Sequence, residues 1–140
     1  MKRTFHGSCH CKAVQFEADI DLSAGTTRCN CSFCTKARFW MAFVKPEEFR
    51  LSQGSERLTD YQHTPPAKPE PFLHLCFCSR CGIRPFSRGG FHPGMGSAFY
   101  AINLGTLDDA SDQELASAPI KYADGRHDDW SATPEVHSHL

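Results

Sequence analysis

Val14, Phe16 and Ala18 alternate with Gln15 and Glu17 in the stretch KAVQFEA, Lys12 to Ala18, and this period of two predicts a half-buried strand. Three more apolar runs follow: FWMAFV from Phe39 to Val44, FLHLCFC from Phe72 to Cys78, and SAFYAINL from Ser97 to Leu104. Each is short, rich in aromatic residues and bounded by glycine, proline or charge, so short strands dominate the expected structure. Helical periodicity is scarce. Leu107 to Leu115 supports at most one or two turns, begun by Asp108 or Asp109. Thr64 to Pro71 carries four prolines in eight residues, which removes amide donors and predicts a loop. Arg88 to Gly96 (RGGFHPGMG) reads as a second connection. Ala132 to Leu140 has no period and is expected to be a poorly ordered tail, which leaves residues 1–131 as a single domain.

The length of 140 residues suits that single domain. The 40% apolar content excludes a disordered chain, and no apolar run approaches the ~18 residues of a membrane span. The first ten residues lack the apolar core of a secretory signal, so a cytoplasmic protein is expected. Net charge is only −1, but Arg28 to Arg88 holds ten Lys or Arg against five acids, whereas Gly89 to Leu140 holds two against eight. That local surplus is too small for a nucleic-acid binder, and the acid-rich end repels one. It does suit a small anionic ligand.

Composition changes the picture most through cysteine. All eight cysteines fall in three knots: Cys9-His10-Cys11, Cys29-Asn30-Cys31-Ser32-Phe33-Cys34, and Cys76-Phe77-Cys78-Ser79-Arg80-Cys81-Gly82. In a reducing compartment such a count points to metal or redox work before disulfides. A Cys-x-x-Cys turn presents two sulfurs at the bite of a tetrahedral zinc, with amides free to donate to them. A Cys-x-Cys pair on an extended segment puts both side chains on one face. Redox exchange at a Cys-x-x-Cys pair is the competing reading, but no thioredoxin-like βαβ pattern accompanies these knots. Zinc is preferred over iron, although four thiolates suit either.

If the first and third knots combine, Cys9, Cys11, Cys78 and Cys81 make a closed four-thiolate structural centre. Cys29, Cys31 and Cys34 then hold a second ion with only three ligands, which leaves a position for water or an incoming thiol. Cys76, two residues before Cys78, either completes that second centre or packs.

The run GSCHCKAV (Gly7 to Val14), CNCSFC (Cys29 to Cys34), FCSRCG (Phe77 to Gly82) and AINLGTLD (Ala101 to Asp108) resembles the glutathione-dependent formaldehyde-activating enzyme family, which also contains centromere protein V. The resemblance implies a mainly β, Mss4-like (β-tent) fold of several small coiled antiparallel sheets with two zinc ions. It implies the same ligand division: a structural ion on Cys9, Cys11, Cys78 and Cys81, and a labile, catalytic one on Cys29, Cys31 and Cys34. Cys76 departs from the family pattern and puts the openness of the second site in question. The implied activity is a carbon-sulfur lyase-type reaction that joins glutathione and formaldehyde as S-(hydroxymethyl)glutathione, or cleaves it. A glutathione carrier and a zinc-stabilised binding module are the alternatives.

Arg28, Lys36, Arg38, Arg80 and Arg84 lie close to the cysteines and are candidates to grip glutathione's carboxylates, each against the alternative of a solvated surface charge. His10 is expected to point away from the sulfurs. Phe39 and Trp40 either wall a pocket or fill the core.

Overall fold

The computed structural model describes residues 1–66 and 72–140. Ten strands and two short helices follow in chain order: β1 (Arg3–Ser8), β2 (Gln15–Ile20), β3 (Thr26–Cys29), α1 (Ser32–Ala37), β4 (Trp40–Val44), β5 (Phe49–Gln53), β6 (Leu58–His63), β7 (Leu73–Cys78), β8 (Phe86–His92), β9 (Ser97–Asn103), α2 (Asp112–Ser117) and β10 (Ile120–Ala123). A three-stranded sheet has the order β1-β2-β5, and a seven-stranded sheet the order β10-β3-β4-β9-β8-β7-β6. Pairing is antiparallel except at one edge, where β10 runs parallel to β3 with Ala123 opposite Cys29. The mainly β, Mss4-like expectation is borne out.

The alternation that predicted a strand at Val14, Phe16 and Ala18 serves β2, whose inward residues Phe16, Ala18 and Ile20 are buried. They meet Phe5 from β1 and Ala42, Val44, Phe86 and Ile102 from the larger sheet, so the main core lies between the two sheets. Phe49 stacks on Tyr100 at 4.2 Å across this interface. A second apolar cluster joins Cys34 of α1 and the adjoining Phe39 to Met41, Phe99 and Ala101. Burying these aromatic side chains at about 25 cal/mol per Å² is the main force holding the layers together.

Two expectations are corrected. Arg88 to Gly96 is half strand, because Gly89 and Gly90 belong to β8 and only the turn before Ser97 connects it to β9. The helix after Leu107 begins at Ser111, whose hydroxyl accepts from the Glu114 amide while the Glu114 carboxylate accepts from the Ser111 amide, a reciprocal cap. Asp108 and Asp109 instead bind Ser8, Lys12 and His6. The predicted loop from Thr64 is neither strand nor helix through Pro66, and its remainder, residues 67–71, lies outside the described residues. The final residues fold back on the domain: Pro134 is buried, and the His137 ring lies 4.4 Å from that of Tyr122.

Candidate metal centres

Seven of the eight cysteines converge into two groups, and within each group all sulfurs lie within 4.8 Å of one another. None is in a disulfide. The first group joins Cys9 and Cys11, after β1, to Cys78 and Cys81, at the end of β7. Cys9 and Cys11 do not sit on an extended segment as expected. The chain turns there, with Lys12 in the left-handed region (φ 67°) and the Lys12 amide donating to the Cys9 carbonyl at 3.1 Å. The Val14 amide donates to Cys9 Sγ at 3.3 Å. The Cys78–Cys81 turn is closed by Gly82, at φ 78°, whose amide donates to the Cys78 carbonyl at 2.8 Å, a backbone conformation that costs glycine little. Burial pushes the Cys9 thiol up to about 11. Burial also opposes ionisation of Cys81, yet the amides of Cys11 and Ile83 hold it down to about 6.

The second group is Cys29, Cys31 and Cys34. Cys29 ends β3, and Cys31 is the cap residue of α1, its sulfur accepting from the Cys34 amide at 3.3 Å. Cys29 Sγ accepts from the Cys31 amide, also at 3.3 Å. Strand, cap and first helical turn therefore aim three sulfurs at one point. Cys29 and Cys34 are buried. Contact with Cys29 and Cys34 favours the thiolate of Cys31, and contact with Cys31 pushes Cys29 up to about 11; Cys34 is raised by both neighbours. Three crowded thiols resist ionising together unless a cation replaces their protons.

Both donor sets fit zinc: sulfur-only, within reach of one ion, and with amides directed at the sulfurs. Among the described residues no His, Asp, Glu or further Cys joins the second group. Cys76 belongs to neither group. It is buried in the core between the sheets, with its sulfur 3.9 Å from the His74 carbonyl.

Two walls flank the three-sulfur group. Asn30, 6% exposed, is tied to the chain after β10: its amide nitrogen Nδ2 donates to Asp124 Oδ1 at 2.8 Å, its Oδ1 accepts from the Arg126 amide at 3.0 Å, and its backbone amide donates to the Ala123 carbonyl. Gly125 is pressed so close that a Cβ there would lie 2.5 Å from Cys29 Sγ and 2.9 Å from the Trp130 ring. Sequence reasoning missed Asn30, Asp124 and Gly125. The only signal was Asn30 lying between two cysteines.

On the other side a crevice is lined by Arg28, Cys29, Cys34, Thr35, Arg38, Phe39 and Leu140. Two of the five candidate gripping residues, Arg28 and Arg38, therefore reach it. Arg84 donates to the Leu75 carbonyl and lies over the rings of Phe33 and Phe77. Lys36 and Arg80 are exposed and do not line the crevice. His10 is exposed. Phe39 lines the crevice, whereas Trp40 packs against the main core and donates to Thr26 Oγ1 at 2.8 Å. A roomier groove of about 240 Å³ between Arg3, Phe5, Leu22 and Glu114 is lined by no cysteine, so size does not identify the site. No helix among the described residues is long and apolar enough to cross a membrane.

A family model described as glutathione-dependent formaldehyde-activating enzyme matches residues 4–122. The crystal structure of a Rhodobacter sphaeroides protein is similar, with a TM-score of 0.65 and 27% sequence identity over 83% of this chain and 99% of the other. No curated protein matches.

Proposed function

The chain belongs to the glutathione-dependent formaldehyde-activating enzyme family, and from that premise we propose that it joins a small thiol, glutathione, to an aldehyde such as formaldehyde, or cleaves the adduct. Cys9, Cys11, Cys78 and Cys81 hold a structural zinc, and Cys29, Cys31 and Cys34 a labile one. The observation that carries this reading is the second group's count: three converging sulfurs, no fourth donor among the described residues, and a crevice at Cys29 and Cys34. A zinc held by three thiolates supplies positive charge that lowers the pKa of an incoming thiol and keeps it as thiolate near neutral pH.

The protein's own residues do the rest. Arg28 and Arg38 at the crevice bind the carboxylates of glutathione, since guanidinium and carboxylate pair through charge-assisted hydrogen bonds. Phe39 gives the crevice an apolar side that excludes water. The Asn30–Asp124 bond and the close backbone of Gly125 fix Cys29. In the addition, the thiol sulfur forms a bond to the aldehyde carbon, the carbonyl π pair moves to oxygen, and the proton released by the thiol ends on that oxygen. Nothing is oxidised or reduced.

The test is turnover of glutathione and formaldehyde by the zinc-loaded protein, measured against the uncatalysed background. A rate above background that disappears in Cys34→Ser supports an enzyme. A rate equal to background, with glutathione still bound, means a carrier instead.

A further inference from the structure

Residues 123–140 lie beyond the family match, which ends at residue 122, yet they cover the three-sulfur group from two sides. The side built by Ala123 to Trp130 is firmly held, through three hydrogen bonds to buried Asn30 and the tight approach of Gly125 to Cys29. The other side is different. Arg38 Nη1 donates to the His139 carbonyl at 2.7 Å, and Leu140 lines the crevice with Arg28, Cys29, Cys34, Thr35 and Phe39. With that segment in place the crevice keeps about 10 Å³ of free room, about one water's worth. A tripeptide cannot enter.

The covering segment is weakly anchored. Pro134 is buried and His137 meets Tyr122, but Glu135, Val136, Ser138 and His139 are exposed. Segments with few buried contacts open at low free-energy cost. In addition, Thr35 Oγ1, on the crevice wall, is buried and has no hydrogen-bond partner among the described residues. The covered state therefore leaves one polar group unmet that a ligand in the crevice can satisfy.

We infer that residues 133–140 act as a gate. They occupy the crevice as a self-ligand, and a substrate thiol reaches Cys29, Cys31 and Cys34 when His139 and Leu140 leave and Arg38 exchanges a backbone carbonyl for a carboxylate. A carboxylate is the stronger acceptor for a guanidinium, so the exchange favours thiols that carry one. Apparent affinity is reduced by the fraction of molecules that are closed. The gate rests on reading the second group as the thiol site.

The experiment compares the zinc-loaded full chain with Leu140→Gly, which removes the side chain from the crevice without adding a partner for Arg28 or Arg38, and with a chain ending at Ala132. Each is treated with iodoacetamide, and alkylation of every cysteine is followed by peptide mass analysis, with Cys9, Cys11, Cys78 and Cys81 as internal controls. Labelling of Cys29, Cys31 and Cys34 relative to those controls should rise about fivefold in both variants, the effect of losing a contact of about 1 kcal/mol. KM for glutathione should fall with kcat unchanged. If the shortened chain does not fold, Leu140→Gly decides alone. Equal relative labelling in the folded proteins overturns the gate. Faster labelling in proteins that show no turnover supports the gate and removes the proposed reaction.

Discussion

A single added methyl tests how tightly the second cysteine group is built. At residue 125 it would sit 2.5 Å from Cys29 Sγ and 2.9 Å from Trp130, so Gly125→Ala must displace the sulfur or the loop. Overpacking of this kind costs about 1–3 kcal/mol. The variant is expected to unfold at lower urea and to keep one metal ion of two; unchanged urea resistance with both ions retained would refute this. Cys76 provides the opposite case. It stands opposite Asp60 in mid-strand, whereas Cys78, on the same face, is the last residue of β7, where the chain turns toward Cys81. Cys76→Ala should therefore leave the metal content unchanged and cost about 1 kcal/mol of packing. Loss of an ion would make it a ligand. Period two placed both residues on one face correctly, but a face does not say how far along it a metal lies. For that reason the spacing alone left Cys76 open.

Elements were legible where an apolar period outlasted local chemistry. β2, β4, β7 and β9 match alternating or apolar runs, because each buries one face or both in the core. β1 and β6 were missed because their outer residues are polar and exposed, and α1 because six residues are too few to show a helical period. Its start carried no familiar signal either, since a cysteine sulfur stands where Ser, Thr, Asp or Asn usually caps. α2 did carry such a signal, in Ser111 and Glu114, but the nearby Asp108 and Asp109 were equally plausible caps in sequence. Ser111→Ala is expected to cost about 1 kcal/mol, read as a lower urea midpoint, with no change in metal content. A Ser111→Ala protein as stable as the parent would mean that α2 is held by packing alone.

At the scale of the molecule the two cysteine groups close different loops, and the proposal gives them different jobs on that ground. The first ties the turn after β1, in the small sheet, to the end of β7, in the large one, with Cys11 and Cys78 67 positions apart in the chain. A structural zinc there contributes directly to folding. The second gathers sulfurs from one local stretch, Cys29 to Cys34, so its loss removes little long-range connection. Cys78→Ser is thus expected to abolish the cooperative thermal transition, while Cys34→Ser keeps it and loses activity. Equal unfolding in both would refute the asymmetry. Strand order was not legible in the sequence, because alternation says which face is buried and not which strand lies beside it. Nor was the wall built from Asp124 and Gly125, which folding brings to Cys29 across almost a hundred residues.

The decisive measurement is the metal content of the purified full chain before and after exposure to excess glutathione and desalting. An ion held by three protein sulfurs, with a position that a thiol can take once residues 133–140 move aside, should exchange, and the content should fall from two zinc ions per chain to one. Two ions retained after that treatment would mean that both centres are closed by the protein, and the open thiol site proposed for Cys29, Cys31 and Cys34 would not exist.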